Sequence, residues 1–191
     1  MKRVLILASG EGTTCEYLLK LVETKALNLQ VDSVVVDRVC GAIDVAKKFS
    51  VPCAIIQPVK GIDRKYWDQK LLQFLKAAKP DYIILLGFLR QISPSIVQTF
   101  PQRIINTHPS LLPAYGGKGM YGLRIHQKVL ANKEKTTGIT IHYVDENYDS
   151  GKIIAQKELA VKSTETPEAL ERRVKKIEKE FLFETLQKIL N

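Results

Sequence analysis

The stretch "RVLILASGEGTTCEYLLKLVETKAL", residues 3–27, decides the fold class. Arg3–Ser9 is a short apolar run that reads as a buried strand. Gly10–Gly12 then lets the backbone turn sharply, and Thr13–Leu27 reads as a helix. A strand, a glycine-rich turn and a helix are the opening unit of an α/β protein, and the rest of the chain repeats the alternation. Val31–Asp37 reads as a strand and Ala42–Phe49 as a helix. Cys53–Gln57 is a weaker strand. Ile62–Ala78 reads as a helix with Trp67, Leu71, Phe74 and Leu75 on one side. Asp81–Gly87, "DYIILLG", is apolar enough for a central strand covered on both faces. A short helix at Pro94–Thr99 and a strand at Arg103–Asn106 follow.

Beyond Gly119 the pattern changes. Leu123–Ala131 reads as a helix, Thr137–Val144 alternates, and Lys152–Lys162 is another strand, so a hairpin-like antiparallel edge is expected. Thr166 is placed as N-cap, with Pro167 in the first turn of a closing helix that runs to Asn191. The expectation is one α/β domain, residues 1–191: a mostly parallel twisted sheet flanked by helices, with an antiparallel edge strand.

Composition limits the function classes. The 191 residues are 45% hydrophobic and 26% charged, which fits a water-exposed globular chain. No apolar run reaches the length of a membrane span. The start, "MKRVLILASGEG", imitates a signal peptide, but Val4–Ala8 is too short for a secretory core. Cys15, Cys40 and Cys53 are widely spaced, without metal-ligand spacing, and are expected as reduced thiols in a cytoplasmic protein. The net charge of +9 raises a nucleic-acid partner. The bases are scattered, though, and "ERRVKKIEKE" mixes them with acids as a solvated helix face does. Neither a nucleic-acid nor a membrane partner is expected. An anionic small substrate fits the excess as well.

Two segments carry candidate chemistry. In "LILASGEGTT", Gly10 and Gly12 allow close approach to a ligand, and Thr13 and Thr14 open a helix whose free N–H groups favour an anion. The third glycine of a dinucleotide fingerprint and the lysine of a P-loop are both missing, so a phosphate monoester is the better fit. Glu11 must then point away. In "RIINTHPSLLP", strand alternation puts Asn106 and His108 on one side. Asn106 offers an N–H to an oxygen gaining charge, and His108 can exchange a proton near neutral pH. In "VDENYDSGK", one of Asp145, Glu146 or Asp149 could orient the imidazole, and the turn at Ser150–Gly151 could aim Asp149 inward.

"INTHPSLLP" together with "YDSGKII" resembles the folate-dependent formyltransferase family. "LASGEGTT" and "LLGFLRQISP" narrow the resemblance to members that act on phosphoribosylglycinamide. The resemblance spans almost the whole chain. It implies transfer of a formyl group from 10-formyltetrahydrofolate, a co-substrate, to the amine of phosphoribosylglycinamide in purine biosynthesis, without a metal. By motif match it implies Asn106, His108 and Asp149 as the catalytic trio, with protonated His108 stabilising an oxyanion and Asp149 moving the proton. It further implies Gly12, Thr13, Thr14 and Glu178 on the ribosyl phosphate substrate. Leu89, Arg90, Gln91, Ile92 and Asp145 would contact the folate. The chain departs from the family at Thr13–Thr14, at Asp37–Arg38 and at Ser150. Its glycine-rich segment 116–122 suggests a flap. A formyltetrahydrofolate hydrolase and a methionyl-tRNA formyltransferase share the trio and are the rivals, beside a silent nucleotide- or RNA-binding module. Monomer and homodimer both remain open.

Overall fold

The computed structural model describes residues 1–190. Its strands are β1 (Lys2–Ala8), β2 (Leu29–Val36), β3 (Cys53–Ile55), β4 (Tyr82–Leu86), β5 (Ile104–His108), β6 (Thr136–Tyr143) and β7 (Ile153–Ala160). Its helices are α1 (Thr13–Glu23), α2 (Ala42–Lys48), α3 (Arg64–Ala78), α4 (Pro94–Thr99), α5 (Leu123–Ala131) and α6 (Pro167–Leu190). The strands form one seven-stranded sheet in the order β3-β2-β1-β4-β5-β6-β7. β1 runs parallel to β2 and β4, β2 runs parallel to β3, and β7 is antiparallel to β6. The expected fold class holds: a mostly parallel α/β sheet with an antiparallel edge. By compactness the chain divides into two units, Met1–Ile105 with Leu190, and Asn106–Ile189.

In the first unit, β1 is buried from Val4 to Ala8 and β4 from Ile83 to Leu86, so these stretches read as continuous apolar runs rather than alternating ones. The strand order reverses between them. The loops leaving their carboxyl ends are therefore where open α/β sheets take ligands. α1 and α2 contact each other and β2. α1 ends at Glu23 rather than Leu27: the Thr24 hydroxyl donates to Lys20 O at 2.9 Å, and Lys25 turns to φ 59. α3 is capped by Asp63, whose carboxylate accepts from Lys65 N at 3.0 Å. Trp67, Leu71 and Leu75 are its buried stripe, and Phe74 sits at the margin of it. Cys15, Cys40 and Cys53 are free thiols. Burial, with smaller contributions from Cys53 and Glu16, pushes the Cys15 thiol up to about 12.

In the second unit, β7 alternates between exposed and covered positions as an edge strand does, while β6 is buried on both faces. α6 begins as expected: Ala169 N donates to the Thr166 hydroxyl at 3.2 Å, and Leu170, Val174 and Phe181 are buried. Asn191, the last residue of the expected helix, lies outside the described residues. No helix among the described residues is long and apolar enough to cross a membrane.

Candidate active site

β5 extends through His108, two residues beyond the expected end at Asn106. Asn106 and His108 consequently share a side, and Thr107 faces the other, where its hydroxyl donates a short hydrogen bond to Glu178 of α6. Asp149 reaches the imidazole from the loop after β6. It adopts φ 54, a left-handed conformation that Asp tolerates better than most residues. Gly151, two residues on, lies so close to the Tyr143 carbonyl that any Cβ would overlap it. The turn therefore aims Asp149 inward.

Around these side chains the geometry is tight. His108 Nδ1 lies 3.6 Å from Asp149 Oδ2, and both side chains are almost out of solvent, at 5% and 12% exposure. His108 Nε2 donates to the Tyr115 carbonyl at 2.9 Å. Gly117 N donates to Asp149 Oδ2 at 2.9 Å. His142 of β6, which the sequence left open as a support for the folate loop or a filler of the sheet, supplies a further contact. Its Nδ1–H donates to Tyr143 O at 2.9 Å, which leaves Nε2 bare to accept from Asn106 Nδ2 at 3.1 Å. Burial holds His142 below the ordinary imidazole range, against the pull of the Tyr143 carbonyl and Asp149, so the ring is neutral at pH 7. The Asn106 amide is thereby locked with its nitrogen toward His142, and its second N–H remains free to donate. The sequence signal for His142 was its place on the alternating strand, whose burial on both faces only the structure shows.

Two other expected site residues are placed differently. Glu178 meets Thr107 rather than the Asn106 side of β5. Burial pushes its carboxyl above the usual range, and the Thr107 hydrogen bond pulls it back. Asp145 is engaged within its own loop, accepting from Asn147 N at 3.0 Å and from the Ser150 hydroxyl at 2.8 Å. Ser150, one of the departures from the family pattern, thus braces the loop that carries Asp149. The glycine segment begins packed: a Cβ on Gly116 would sit 2.6 Å from Leu112 and 3.2 Å from Asp149.

The first unit holds the remaining expected residues. Gly12 has φ 74, and a Cβ there would lie 2.8 Å from Ala42 Cα, so only glycine fits. α1 starts behind it with no side-chain cap, which leaves the N–H groups at Thr13 and Thr14 unsupported by a side chain. The Glu11 carboxylate lies over Gly41. Leu89 and Arg90 are exposed, and Ile92 is buried. This segment is fastened from three directions. Leu89 N donates to the Ser9 hydroxyl at 3.1 Å, Arg64 Nη2 to Gln91 O at 2.6 Å, and Arg90 Nε to Asp37 Oδ2 at 2.7 Å. Asp37, fully enclosed, also takes two hydrogen bonds from Arg38. Burial alone would raise its carboxyl, but Arg38, Ser9 and Arg90 hold it below the usual range. Among the described residues no group of three or more His, Cys, Asp or Glu could hold a metal ion.

An imidazole–carboxylate pair and an amide held by a second imidazole thus meet at the carboxyl end of β5. The chain belongs to the formyl transferase family, whose model matches residues 2–186. It is 30% identical over 191 residues to the phosphoribosylglycinamide formyltransferase of Bacillus subtilis (strain 168), covering 100% of this chain and 95% of that one. It is 34% identical over 179 residues to the chloroplastic phosphoribosylglycinamide formyltransferase of Arabidopsis thaliana, covering 91% of this chain. The chain spans 60% of the length of that plant relative. Among solved structures, glycinamide ribonucleotide transformylase 1 from Geobacillus kaustophilus superposes with a TM-score of 0.92 at 32% identity, covering 100% of both chains.

Proposed function

We propose that this chain is a cytoplasmic enzyme that moves the formyl group of 10-formyltetrahydrofolate to the amine of phosphoribosylglycinamide. The observation that carries the reading is the convergence of Asn106, His108 and Asp149 in a member of this family. The amine attacks the formyl carbon, and the carbonyl π pair moves to oxygen. Asn106 donates its free N–H to that oxygen, and protonated His108 stabilises its charge. Asp149 takes a proton from the attacking amine. The oxyanion then re-forms the carbonyl, the bond to N10 breaks, and the proton is delivered to N10. Formylated amide and tetrahydrofolate leave, and the enzyme ends in its starting protonation state.

The binding roles follow the same reading. Gly12, Thr13 and Thr14 hold the ribosyl phosphate by main-chain and hydroxyl donors at the start of α1. Glu178 binds ribose hydroxyls with the carboxylate oxygen that Thr107 does not use. Leu89, Arg90, Gln91 and Ile92 receive the flat pteridine, largely by backbone contacts, and Asp145 shapes the loop that meets the folate.

The assay mixes the protein with 10-formyltetrahydrofolate in the presence and absence of phosphoribosylglycinamide. Formyl loss only with the acceptor present is the expected outcome. Loss in water alone identifies a hydrolase and overturns the reading. His108→Ala and Asp149→Asn should each lower kcat by about 10²–10⁴-fold with the circular dichroism spectrum unchanged. Near-wild-type turnover in both variants removes the trio.

A further inference from the structure

We infer that Tyr115 is a positioning residue for the His108–Asp149 pair: its phenol anchors the loop whose backbone grips both partners. This rests on the roles proposed above for His108 and Asp149.

The loop after β5 is fastened along its length. The Ser110 hydroxyl donates to Ala114 O at 2.6 Å, Leu112 N to the Thr140 hydroxyl at 3.0 Å, and Gln156 Nε2 to Leu112 O at 2.9 Å. Tyr115 follows with φ 57, a conformation that a bulky side chain keeps only where its surroundings hold it. What holds it is the far end of its ring. Tyr115 Oη donates to Glu134 Oε1 at 2.7 Å and accepts from Asn132 Nδ2 at 2.8 Å. Asn132 is the residue that ends α5, and Glu134 lies in the turn before β6. A ring needed only for packing would not require that hydroxyl.

At its main-chain end, Tyr115 accepts the hydrogen of His108 Nε2 at 2.9 Å. A carbonyl can only accept, so Nε2 carries a hydrogen, and Nδ1 is the nitrogen presented to Asp149 at 3.6 Å. Two residues later, Gly117 N donates to Asp149 Oδ2. Gly116, between them, has no room for a side chain. Tyr115 and Gly117, on either side of Gly116, therefore each hold one member of the pair. A drift of Tyr115 moves imidazole and carboxylate together, and Nδ1 is the nitrogen that faces Asp149.

The test uses the full chain and four proteins: wild type, Tyr115→Phe, Glu134→Ala and Glu134→Gln. Tyr115→Phe and Glu134→Ala should lower kcat by about 5- to 50-fold, since misplacement of a reacting group by about 1 Å can cost 10²-fold. KM for both substrates should stay within about twofold, as expected when only the chemical step is disturbed. Glu134→Gln keeps an acceptor for the phenol and should restore most of kcat. Unchanged kcat in both disruptive variants, or a change confined to KM, overturns the assignment. Long-range nitrogen–hydrogen correlation spectra of the His108 ring give a readout independent of turnover. In the neutral ring of the wild type the hydrogen should sit on Nε2, and Glu134→Ala should populate the other tautomer. A wild-type ring protonated on Nδ1 alone overturns the inference. A wild type that moves no formyl group but keeps the Nε2 tautomer overturns the proposed function instead.

Discussion

The amide of Asn106 and the ring of His142 form the smallest unit on which the proposed chemistry depends. An asparagine amide can rotate to present either oxygen or nitrogen, and only the nitrogen stabilises a developing oxyanion. His142 removes that choice, because Tyr143 takes its Nδ1 hydrogen and leaves Nε2 as an acceptor. Replacing His142 with Phe should lower kcat by about 10- to 100-fold, part of the 10²–10³-fold that an oxyanion donor is worth. KM should change little in the same steady-state measurement. Asn106 and His108 stood out because they sit in a distinctive string, and the resemblance to the family singled out Asp149. His142 did not stand out, because a histidine inside an apolar strand has the same local pattern whether it fills the sheet or supports a neighbour. Asp37 was likewise opaque: nothing nearby in the chain announces that Arg90, 53 residues later, ends on its carboxylate.

Elements were legible to the degree that burial imposes a period. α4 and α5 fall where helical spacing put them, and α3 begins only after Asp63 caps it. β5 was expected to end at Asn106 because its last three residues are polar, yet the strand runs on to His108. Functional side chains at a strand's carboxyl end interrupt the apolar pattern that marks a strand, so the interruption imitates a turn. The ends of β2 and β4 raise a different matter, the enclosed charge of Asp37. Its carboxyl is held below the usual range in the fold, so its contribution is complete above the unfolded value of about 3.9 and is lost as pH falls through the folded value. Asp37→Asn should therefore flatten the acid limb of the stability profile below about pH 4, as read by urea denaturation at a series of pH values. An acid limb as steep as that of the wild type would mean that Arg38 and Arg90 do not hold that carboxylate in solution.

For the molecule as a whole, the α/β class could be read from alternating patterns, but the strand order could not. The antiparallel pairing of β7 with β6 was expected from the hairpin-like pattern, whereas placing β1 beside β4 is decided by long-range pairing that no local window contains. The same distant packing sets the response to acid. His126 and His142 are both buried, and burial holds each below the ordinary imidazole range. The unfolded chain thus takes up protons on them before the folded chain does. Their contribution is complete above about pH 6.5 and is lost as pH falls below it. The surroundings of His126 include Glu171, Lys175, Glu165 and His108, and burial outweighs them all. Glu178 acts in the opposite sense, since its raised carboxyl costs stability as pH rises through the acid range. The melting temperature of the wild type should fall between pH 7 and pH 5.5. His126→Gln should reduce that slope, and an identical slope in the variant would show that His126 is charged in the fold.

Two of the grips on the reacting pair, the Tyr115 carbonyl and the Gly117 amide, belong to the main chain. Truncating side chains one at a time deletes neither atom, so an alanine survey reads these grips only indirectly, through supports such as Glu134. Exchanging the Gly117 amide for an ester linkage by chemical synthesis deletes that donor and nothing else. Lineages descended from this chain can accordingly reshuffle the exposed neighbours Ala114 and Lys118 while inheriting the same grip.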